Sequence, residues 1–238
     1  MSQSFENAVV LVTGANGGLG EQFVAQALAR GAAKVYATAR TPRDWGDDRV
    51  VPLRLDVTDV ASIEAAAAAA SDTTILVNNA GITDYSQNSL LTSPSSSIRA
   101  LFETNFFGAV EVVRAFAPVL GANGGGALID VHSALSWIGV GGTYSATKAA
   151  FWSATNSFRL ELAEQGTLVQ GLHLGYTATP MTVGIDAPMG DAADVVRDSY
   201  DGVESGAFEV LADQTSRDVK AGLSAPIEAL YPQLAATV

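Results

Sequence analysis

Tyr144 and Lys148 could together transfer a proton, because they lie four positions apart at the start of a predicted helix, residues 144–164. Residues at this spacing share one helix face. An ammonium group beside a tyrosine favours the phenolate and lowers the pKa from about 10 toward the range useful for proton transfer. Such a pair is more often a surface pair, so it indicates acid–base chemistry only in combination with further features.

A glycine-rich turn, residues 13–20, follows the first predicted strand and leads into a predicted helix. Glycines permit a tight turn, bring backbone N–H groups against a pyrophosphate and leave the helix N-terminus open to negative charge. The position between a strand and a helix favours a dinucleotide site over an ordinary loop. The cofactor contacts predicted here are Gly14, Asn16, Gly17, Gly18, Leu19 and Gly20.

Arg40 directly follows the second predicted strand, residues 34–39, and no carboxylate stands at this turn, the nearest being Asp44, Asp47 and Asp48. At this turn an acidic residue would contact a ribose 2′-hydroxyl, and a basic residue would bind a 2′-phosphate. Arg40 therefore favours NADP(H) over NAD(H), the alternative being a solvated arginine at a strand end. Arg43 and Arg49 either assist Arg40 or lie at the surface.

Short runs of Val, Ile and Leu alternate with segments whose apolar residues recur at three- and four-residue steps. This alternation, with nearly continuous apolar strands, predicts an α/β domain with a parallel sheet covered by helices on both faces. The predicted strands are residues 8–13, 34–39, 51–56, 74–77, 127–132 and 168–174, and a final strand is expected at 209–213. The predicted helices are residues 20–30, 60–70, 98–120 and 144–164, with a short one at 216–224.

Composition and charge exclude several classes of protein. The chain has 238 residues, 48% hydrophobic and 16% charged, which excludes intrinsic disorder. The net charge of −12 makes nucleic acid and anionic membranes improbable partners. No cysteine is present, which removes disulfides and thiolate chemistry, and no metal site is expected. The short polar N-terminus carries no leader pattern, so a cytoplasmic protein outside the membrane is expected.

The chain resembles the short-chain dehydrogenase/reductase family over nearly its whole length. The motifs occur in the family's order: Thr13-Gly14-x-x-x-Gly18-x-Gly20, Asp56, Asn78-Asn79-Ala80-Gly81, Asn105, Ser133 and Tyr144-x-x-x-Lys148. The resemblance implies a single doubly wound Rossmann-type domain over residues 1–238. It also implies hydride transfer between NAD(P)(H) and an alcohol or carbonyl carbon.

The resemblance assigns catalytic roles to four residues. Tyr144 would be the general acid in carbonyl reduction and the base in alcohol oxidation, and Lys148 would lower its pKa and hold the nicotinamide ribose. Ser133 would bond the substrate oxygen, and Asn105 would hold a water that links Lys148 to solvent. These roles fit together because a developing alkoxide needs donors already in place.

The remaining cofactor contacts follow from the same resemblance. They are Asp56 and Val57 at the adenine, Asn78, Ala80 and Gly81 at the ribose, and Gly175, Thr177 and Thr179 at the nicotinamide. Leu174 stands where the family usually has proline, and we expect this departure to loosen the turn. Ser133 precedes Tyr144 by eleven residues instead of the commoner thirteen, so the intervening loop is short. Ser136 competes with Ser133 for the serine role.

The substrate pocket is expected to be apolar, which favours a hydrophobic ketone, aldehyde or secondary alcohol. Its predicted lining residues are Leu135, Trp137, Tyr176, Met181 and Met189, with Ile138, Val140 and Val183 nearby. Residues 176–190 are expected to form a lid, since proline and glycine occur beside the site. His132 and His173 are interpreted as packing residues.

Two other functions are alternatives to the oxidoreductase. A regulatory protein that binds NADP(H) without turnover would not need Ser133, Asn105, Tyr144 and Lys148 together. A dehydratase or epimerase on the same fold is disfavoured, because the chain has no added substrate domain. The resemblance also implies a homodimer or homotetramer acting on a small molecule.

Overall fold

The computed structural model describes residues 3–235, and seven parallel strands form one sheet in the order β3-β2-β1-β4-β5-β6-β7. The ends of the predicted domain, residues 1–2 and 236–238, lie outside the described residues. The strands are β1 (Val9–Val12), β2 (Lys34–Ala39), β3 (Val50–Arg54), β4 (Ile75–Asn78), β5 (Ala127–Val131), β6 (Leu168–His173) and β7 (Glu209–Leu211).

Helices connect the strands. They are α1 (Leu19–Ala29), α2 (Val60–Ala69), α3 (Ser95–Phe102), α4 (Ala109–Ala122), α5 (Gly142–Glu161), α6 (Ala192–Ser205), α7 (Gln214–Gly222), α8 (Ile227–Leu230) and α9 (Pro232–Ala235). A π-helical stretch, Glu103–Gly108, joins α3 to α4, and 3₁₀ turns occur at Ala134–Ser136, Gly139–Gly141 and Pro180–Thr182.

Helices cover both faces of the sheet, as the continuous apolar strands predicted. Every residue of β4, β5 and β6 is buried, which is typical of a parallel sheet packed on two sides. On one face α1 and α6 contribute Phe23 and Tyr200 to the core. On the other face α2, α4 and α5 contribute Ile63, Phe116 and Phe151.

The direction of chain progression reverses between β1 and β4, which are neighbours in the sheet although the chain visits β2 and β3 between them. In doubly wound sheets the ligand crevice lies beyond the carboxyl ends of the strands at such a reversal. The fold therefore positions a site beside the segments that follow β1 and β4. The single-domain Rossmann-type fold implied by the sequence is confirmed.

The predicted elements lie close to the observed ones, apart from one interrupted helix and three helices, α6, α8 and α9, that were not predicted. The helix predicted at 98–120 extends from Ser95 to Ala122 and is interrupted by the π-helical stretch. Helix α6 was not predicted, because four acidic residues among its fourteen mask the apolar spacing of Val196, Tyr200 and Val203.

Within residues 3–235, one helical stretch, Ser95–Ala122, is long and apolar enough to cross a membrane by length and composition alone. A buried core helix passes the same test. Here Val112, Phe116 and Leu120 are buried in the core against the sheet.

Candidate active site

A cleft of about 860 Å³ opens at the carboxyl end of the sheet and contains both groups of residues that the sequence singled out. The glycine-rich turn and Arg40 line one end, which we call the nucleotide end. Ser133, Tyr144 and Lys148 line the other, which we call the substrate end. The elements that position them are the segments after β1, β2 and β5 and the first two turns of α5.

The glycine-rich turn has the geometry of an anion-binding turn. Gly14 and Gly18 have φ angles of +66° and +57°, which disfavour a side chain. A Cβ on Gly17 would meet no atom within 4 Å, so this residue is open to the cleft. A Cβ on Gly20 would lie 2.2 Å from the Gly14 carbonyl oxygen, so Gly20 permits close packing of turn and helix and does not itself line the cleft.

Buried hydrogen bonds tie this turn to the end of β4. The Thr13 hydroxyl accepts hydrogen bonds from the backbone N–H groups of Asn79 (2.9 Å) and Ala80 (3.0 Å). The Asn79 side chain in turn donates to the carbonyl oxygens of Thr13 and Gly14. These bonds fix two loops against each other before any ligand binds.

Asn79 is a site residue that the sequence reasoning did not select, although its motif was recognised. Asn79 lines the cleft, whereas Asn78, which was selected, is buried beneath it. The Asn78 amide donates to the Ala109 carbonyl and to the Asp130 carboxylate, so Asn78 supports the sheet and the helix behind it. Ala80 and Gly81 line the cleft as predicted.

Arg40 is the cation that lines the nucleotide end. Arg43 is ion-paired with Glu21 at 2.8 Å and Arg49 with Asp47 at 2.8 Å. Among the ion pairs found within residues 3–235, none involves Arg40. Its exposed guanidinium is therefore available to an anionic group in the cleft.

Asp56 and Val57 line the same end, opposite the turn. The pKa of Asp56 is lowered, chiefly because its carboxylate accepts hydrogen bonds from the Thr58 backbone and hydroxyl, with a smaller contribution from the positive charge of Arg40. The Asn16 side chain donates to the Thr41 carbonyl at 2.8 Å, which joins the glycine-rich turn to the loop that carries Arg40.

At the substrate end, Ser133 reaches the cleft and Ser136 does not. The Ser133 hydroxyl accepts a hydrogen bond from Leu135 N–H (3.1 Å), and the Ser136 hydroxyl accepts one from Ser133 N–H (3.3 Å). The two serines form a capping box around the 3₁₀ turn Ala134–Ser136. Ser136 is thus a structural residue of the loop, and the geometry leaves Ser133 as the serine at the site.

Lys148 is buried, and its ammonium donates to the Val131 carbonyl at 2.8 Å. Burial lowers the pKa of Lys148 to about 8, while the nearby Asp130 acts in the opposite direction. The Nζ atom lies 5.9 Å from the centroid of the Tyr144 ring. Lys148 therefore faces the site as a cation that loses its proton at moderately alkaline pH.

The pKa of Tyr144 differs from the sequence expectation. Burial of the hydroxyl raises it well above the usual value, and the neighbouring Tyr85 phenol adds to the rise. The net lowering expected from Lys148 is wrong, because burial of the phenol outweighs any effect of the ammonium, whose Nζ lies 5.9 Å from the ring centroid. Tyr144 is consequently held in its protonated form across the neutral range.

Asn105 lies in the π-helical stretch and is buried behind the cleft. Its side-chain oxygen accepts from Ile82 N–H at 2.8 Å, and its amide donates to the Ile82 carbonyl at 2.9 Å and to Thr147 at 3.2 Å. The Asn105 side chain thus joins the loop after β4 to α5 next to Lys148. π-Helical turns are frequent at functional sites.

The apolar wall of the substrate end comes from three loops. Leu135, Tyr176 and Met181 line it as predicted, together with Ile138 and Val140. Ile82, Tyr85 and Asn88, from the loop after β4, also line it. Tyr85 is an aromatic residue in a polar loop, and this is the sequence signal that could have identified it.

Trp137 and Met189 were predicted to line the pocket and do not. The Trp137 ring stacks on His173 at 4.0 Å, with the Lys220 ammonium 4.9 Å from its centroid. Met189 precedes Gly190, whose backbone bonds with Tyr176 and Ala178 close the base of the loop. These contacts come from distant parts of the chain, so the sequence of the two loops did not reveal them.

His132 and His173 pack inside the protein, as predicted. Both are buried, and burial lowers the pKa of each imidazole. The His132 ring lies 4.9 Å from His173, and its Nε2 is 3.0 Å from the Thr155 hydroxyl. Within residues 3–235, no group of three or more His, Asp and Glu side chains could hold a metal ion.

Residues 176–190 form a loop over the cleft whose ends are joined by an isolated β-bridge between Thr177 and Gly190. Thr177 and Thr179 line the cleft, and Thr179 lies against Gly18 of the glycine-rich turn. The turn at Gly175 is held by a hydrogen bond from its N–H to the Asp213 carboxylate. This bond supports the turn beside Leu174, and the expectation that Leu174 loosens the turn stays a prediction.

Comparisons with known proteins agree with this fold and site. A family model described as short chain dehydrogenase matches residues 8–189. A crystal structure of a short chain dehydrogenase from Burkholderia cenocepacia in complex with NADP is similar with a TM-score of 0.90 and 35% identity, covering 97% of this chain and 99% of that one.

Curated relatives cover about three quarters of the chain. The 3-oxoacyl-[acyl-carrier-protein] reductase FabG of Escherichia coli is 32% identical over 191 residues, 75% of this chain and 77% of the relative. The 2-(R)-hydroxypropyl-CoM dehydrogenase of Xanthobacter autotrophicus is 32% identical over 190 residues, 73% and 76% of the two chains. The fold and the matches define an oxidoreductase class. This chain belongs to the short-chain dehydrogenase/reductase family.

Proposed function

We propose that this protein is an NADP(H)-dependent oxidoreductase that interconverts an uncharged, hydrophobic ketone or aldehyde and the corresponding alcohol. The observation that carries this proposal is the single cleft in which Arg40 and the glycine-rich turn face Ser133, Tyr144 and Lys148. A carbonyl reductase or alcohol dehydrogenase needs both halves in one cavity, because the cofactor and the substrate must meet there.

The residues present fit a dinucleotide. Gly14 and Gly18 have positive φ and Gly17 is open to the cleft, so a pyrophosphate can approach the backbone. When bound, the cofactor supplies or accepts a hydride. The proposed contacts are Asn16 and Leu19 in the turn, Arg40 at a 2′-phosphate, Asp56 and Val57 at the adenine, Asn79, Ala80 and Gly81 at the ribose, Lys148 at the second ribose, and Gly175, Thr177 and Thr179 at the carboxamide.

Arg40 supports a preference for NADP(H). A guanidinium without a carboxylate partner forms charge-assisted hydrogen bonds with a phosphate. The similar structure from Burkholderia cenocepacia is a complex with NADP, whereas another structure with this fold is a complex with NAD. The preference therefore rests on the free charge of Arg40 at the nucleotide end.

Tyr144 is suited to donate a proton to a carbonyl oxygen. Its hydroxyl is protonated at neutral pH, as expected for a phenol whose pKa is not below about 10, and this is the form that carbonyl reduction consumes. The Ser133 hydroxyl accepts from Leu135 N–H, so its own single proton is available to the same substrate oxygen. Two donors aimed at one oxygen stabilise a developing alkoxide.

Lys148 stabilises the phenolate that remains after Tyr144 has given up its proton. With its pKa at about 8, Lys148 is charged at neutral pH, and a nearby positive charge favours the anion. We propose that Asn105 supports this step from behind the cleft, by holding the water that reconnects Lys148 to solvent.

The lining of the substrate end favours a small uncharged substrate. In the part of the chain that the structure describes, Arg40 and Lys148 are the only cations that line the cleft, and both have roles at the cofactor. Leu135, Ile138 and Met181 contribute apolar surface at the substrate end. A thioester on an acidic carrier protein would meet a chain of net charge −12, and Lys148, which is buried, is the only cation among the described residues that line the substrate end.

Nicotinamide absorbance tests the proposal. Purified protein is mixed with NADPH or NADH and a panel of hydrophobic ketones, aldehydes and one acetoacetyl thioester. We expect oxidation of NADPH with the hydrophobic carbonyl compounds, and a loss of about 10²–10⁴-fold in kcat in Tyr144→Phe. Tight NADPH binding without turnover across the panel would contradict the proposal and favour a regulatory protein.

The subunit count is proposed from the family resemblance, and the compartment and the absent partners are proposed from the composition and charge of the chain. We propose a cytoplasmic homodimer or homotetramer that acts on a small molecule and neither binds nucleic acid nor enters a membrane. Light scattering on the protein as it elutes from a size-exclusion column measures the subunit count. A monomer that turns over substrate would contradict the proposed oligomer.

A further inference from the structure

Helix α5, which carries Tyr144 and Lys148, begins without a side-chain cap of its own. Its N-cap residue is Gly141, which has no side chain to accept a hydrogen bond. The first N–H groups of a helix have no partner within the helix, and a capping side chain normally bonds the second or third of them. In α5 these are the N–H groups of Thr143 and Tyr144.

Asn88 supplies both missing acceptors from another loop. The Asn88 backbone carbonyl accepts a hydrogen bond from Thr143 N–H at 2.8 Å. The Asn88 side-chain oxygen accepts one from Tyr144 N–H at 2.9 Å, across 56 positions of the sequence. The loop after β4 thus caps the helix that carries the proton donor.

The contact between Asn88 and α5 is so close that it limits which residue can occupy position 142. Gly142 has a φ of +55°, and a Cβ on this residue would lie 1.9 Å from the Asn88 carbonyl oxygen. Only glycine combines this φ with so close an approach. Asn88 and Gly142 therefore form one matched contact between the loop and the helix.

The same loop also faces the reacting groups. Asn88 and Tyr85 both line the cleft, and Tyr85 lies near enough to Tyr144 to raise its pKa. Displacement of a reacting group by about 1 Å can cost 10²-fold in rate. A loop bonded to the backbone of Tyr144 can therefore hold its side chain in place in the cleft that Ser133 also lines.

We propose that Asn88 is a positioning residue, which fixes the Tyr144 hydroxyl by holding the first turn of α5 through its backbone N–H groups. This role rests on the proposed function, because it requires Tyr144 to act as the proton donor. Asn88 itself acts through Tyr144, so its loss changes the rate of the chemical step more than the binding of NADPH.

Steady-state kinetics and hydrogen exchange on the full-length protein test this role. Asn88→Ala removes the side-chain acceptor, and we expect kcat to fall about tenfold or more, with KM for NADPH changed less than twofold. Asn88→Asp keeps an acceptor at this position and restores kcat to within about threefold.

Two further variants complete the kinetic set. Gly142→Ala disrupts the contact between Asn88 and α5 from the side of the helix, and we expect a similar fall in kcat. Gln87→Ala is the matched control, because this neighbouring amide bonds Ser97 and not α5, and its kcat is expected to equal that of the wild type.

Exchange of the Tyr144 amide gives a readout that does not depend on turnover. We expect this amide to exchange about tenfold or more faster in Asn88→Ala than in the wild type and in Gln87→Ala. Faster exchange with an unchanged kcat would overturn the proposal, since Asn88 would then be structural only. Unchanged exchange and kcat would also overturn it. A wild type that oxidises no NADPH across the panel would instead refute the proposed function, and the positioning role with it.

Discussion

The two ends of the cleft are built in different ways. At the nucleotide end, the backbone of the glycine-rich turn is fixed by the buried hydroxyl of Thr13 and the amide of Asn79. At the substrate end, side chains from three loops form the wall, and Tyr85, Val140 and Met181 are 40–59% exposed. Rigid backbone suits a cofactor shared across a family, whereas exposed loop side chains are free to differ with the substrate.

The largest expected effect outside Tyr144 lies at the substrate end. Ser133→Ala removes one of two donors to the substrate oxygen, and we expect kcat to fall by about 10²–10³-fold, with little change in NADPH binding. Ser136→Ala is the control, since its hydroxyl only caps the same 3₁₀ turn, and it should retain most of its rate. Steady-state kinetics measures both, and an equal loss in the two variants would contradict the assignment of Ser133.

Arg40→Asp probes the nucleotide end. The substitution replaces a charge-assisted hydrogen bond to a 2′-phosphate with repulsion, and such bonds contribute about 1.5–3 kcal/mol. We expect the ratio of kcat/KM for NADPH to that for NADH to fall by about 10–100-fold. Arg43→Ala, which removes a guanidinium already paired with Glu21, should leave this ratio nearly unchanged. A preserved preference in Arg40→Asp would show that Arg40 is only a surface charge.

Thr13→Val tests whether buried hydrogen bonds make the nucleotide end rigid. The variant leaves the N–H groups of Asn79 and Ala80 without their acceptor, at a cost of about 3 kcal/mol. A fall in Tm of about 6–12 °C follows from that cost, together with weaker NADPH binding. Thr83→Val is the control, because the Thr83 hydroxyl is buried without a hydrogen-bond partner. A wild-type Tm in Thr13→Val would contradict this account of the turn.

We expect the smallest effect from Asp130→Asn. Asp130 is buried on β5, beneath both ends of the cleft. Burial raises the pKa of Asp130 to about 7, against the opposing hydrogen bonds from Thr155 and Asn78 and the charges of Arg159 and Lys148. The folded state therefore binds more protons than the unfolded state between about pH 4 and pH 7, and stability falls as pH rises through this window. At pH 8 we expect Asp130→Asn to melt about 2–4 °C above the wild type.

Melting curves at two pH values isolate the titration of Asp130. The difference in Tm between Asp130→Asn and the wild type should shrink at pH 5, where the folded wild type also carries an uncharged side chain. An identical difference at pH 5 and pH 8 would show that Asp130 does not change its charge in that interval.

The contrast between the two ends of the cleft also explains which features could be predicted from the sequence. The strands and the glycine-rich turn are local patterns, and Gly14, Gly18 and Arg40 lie in the cleft as expected. Asn88 bonds Tyr144 across 56 positions, and Trp137 stacks on His173 from β6. No local pattern encodes either contact, because each depends on how the loops fold back over the sheet.

The pKa of Tyr144 was mispredicted for a related reason. Helical spacing correctly placed Lys148 near Tyr144, but spacing does not show how deeply a phenol is buried or which carbonyl an ammonium bonds. The Val131 carbonyl that accepts from Lys148 belongs to β5. Burial is a property of the assembled fold, and here it outweighs the neighbouring charge.

The most direct test of a cleft with two separable ends is the NADPH dissociation constant of Tyr144→Phe, measured with kcat on one preparation. We predict a dissociation constant within about twofold of the wild type and a kcat lowered by at least about 10²-fold. A variant that retains most of its turnover would contradict the role of Tyr144. A variant that loses NADPH binding and turnover together would contradict the separation of the two ends.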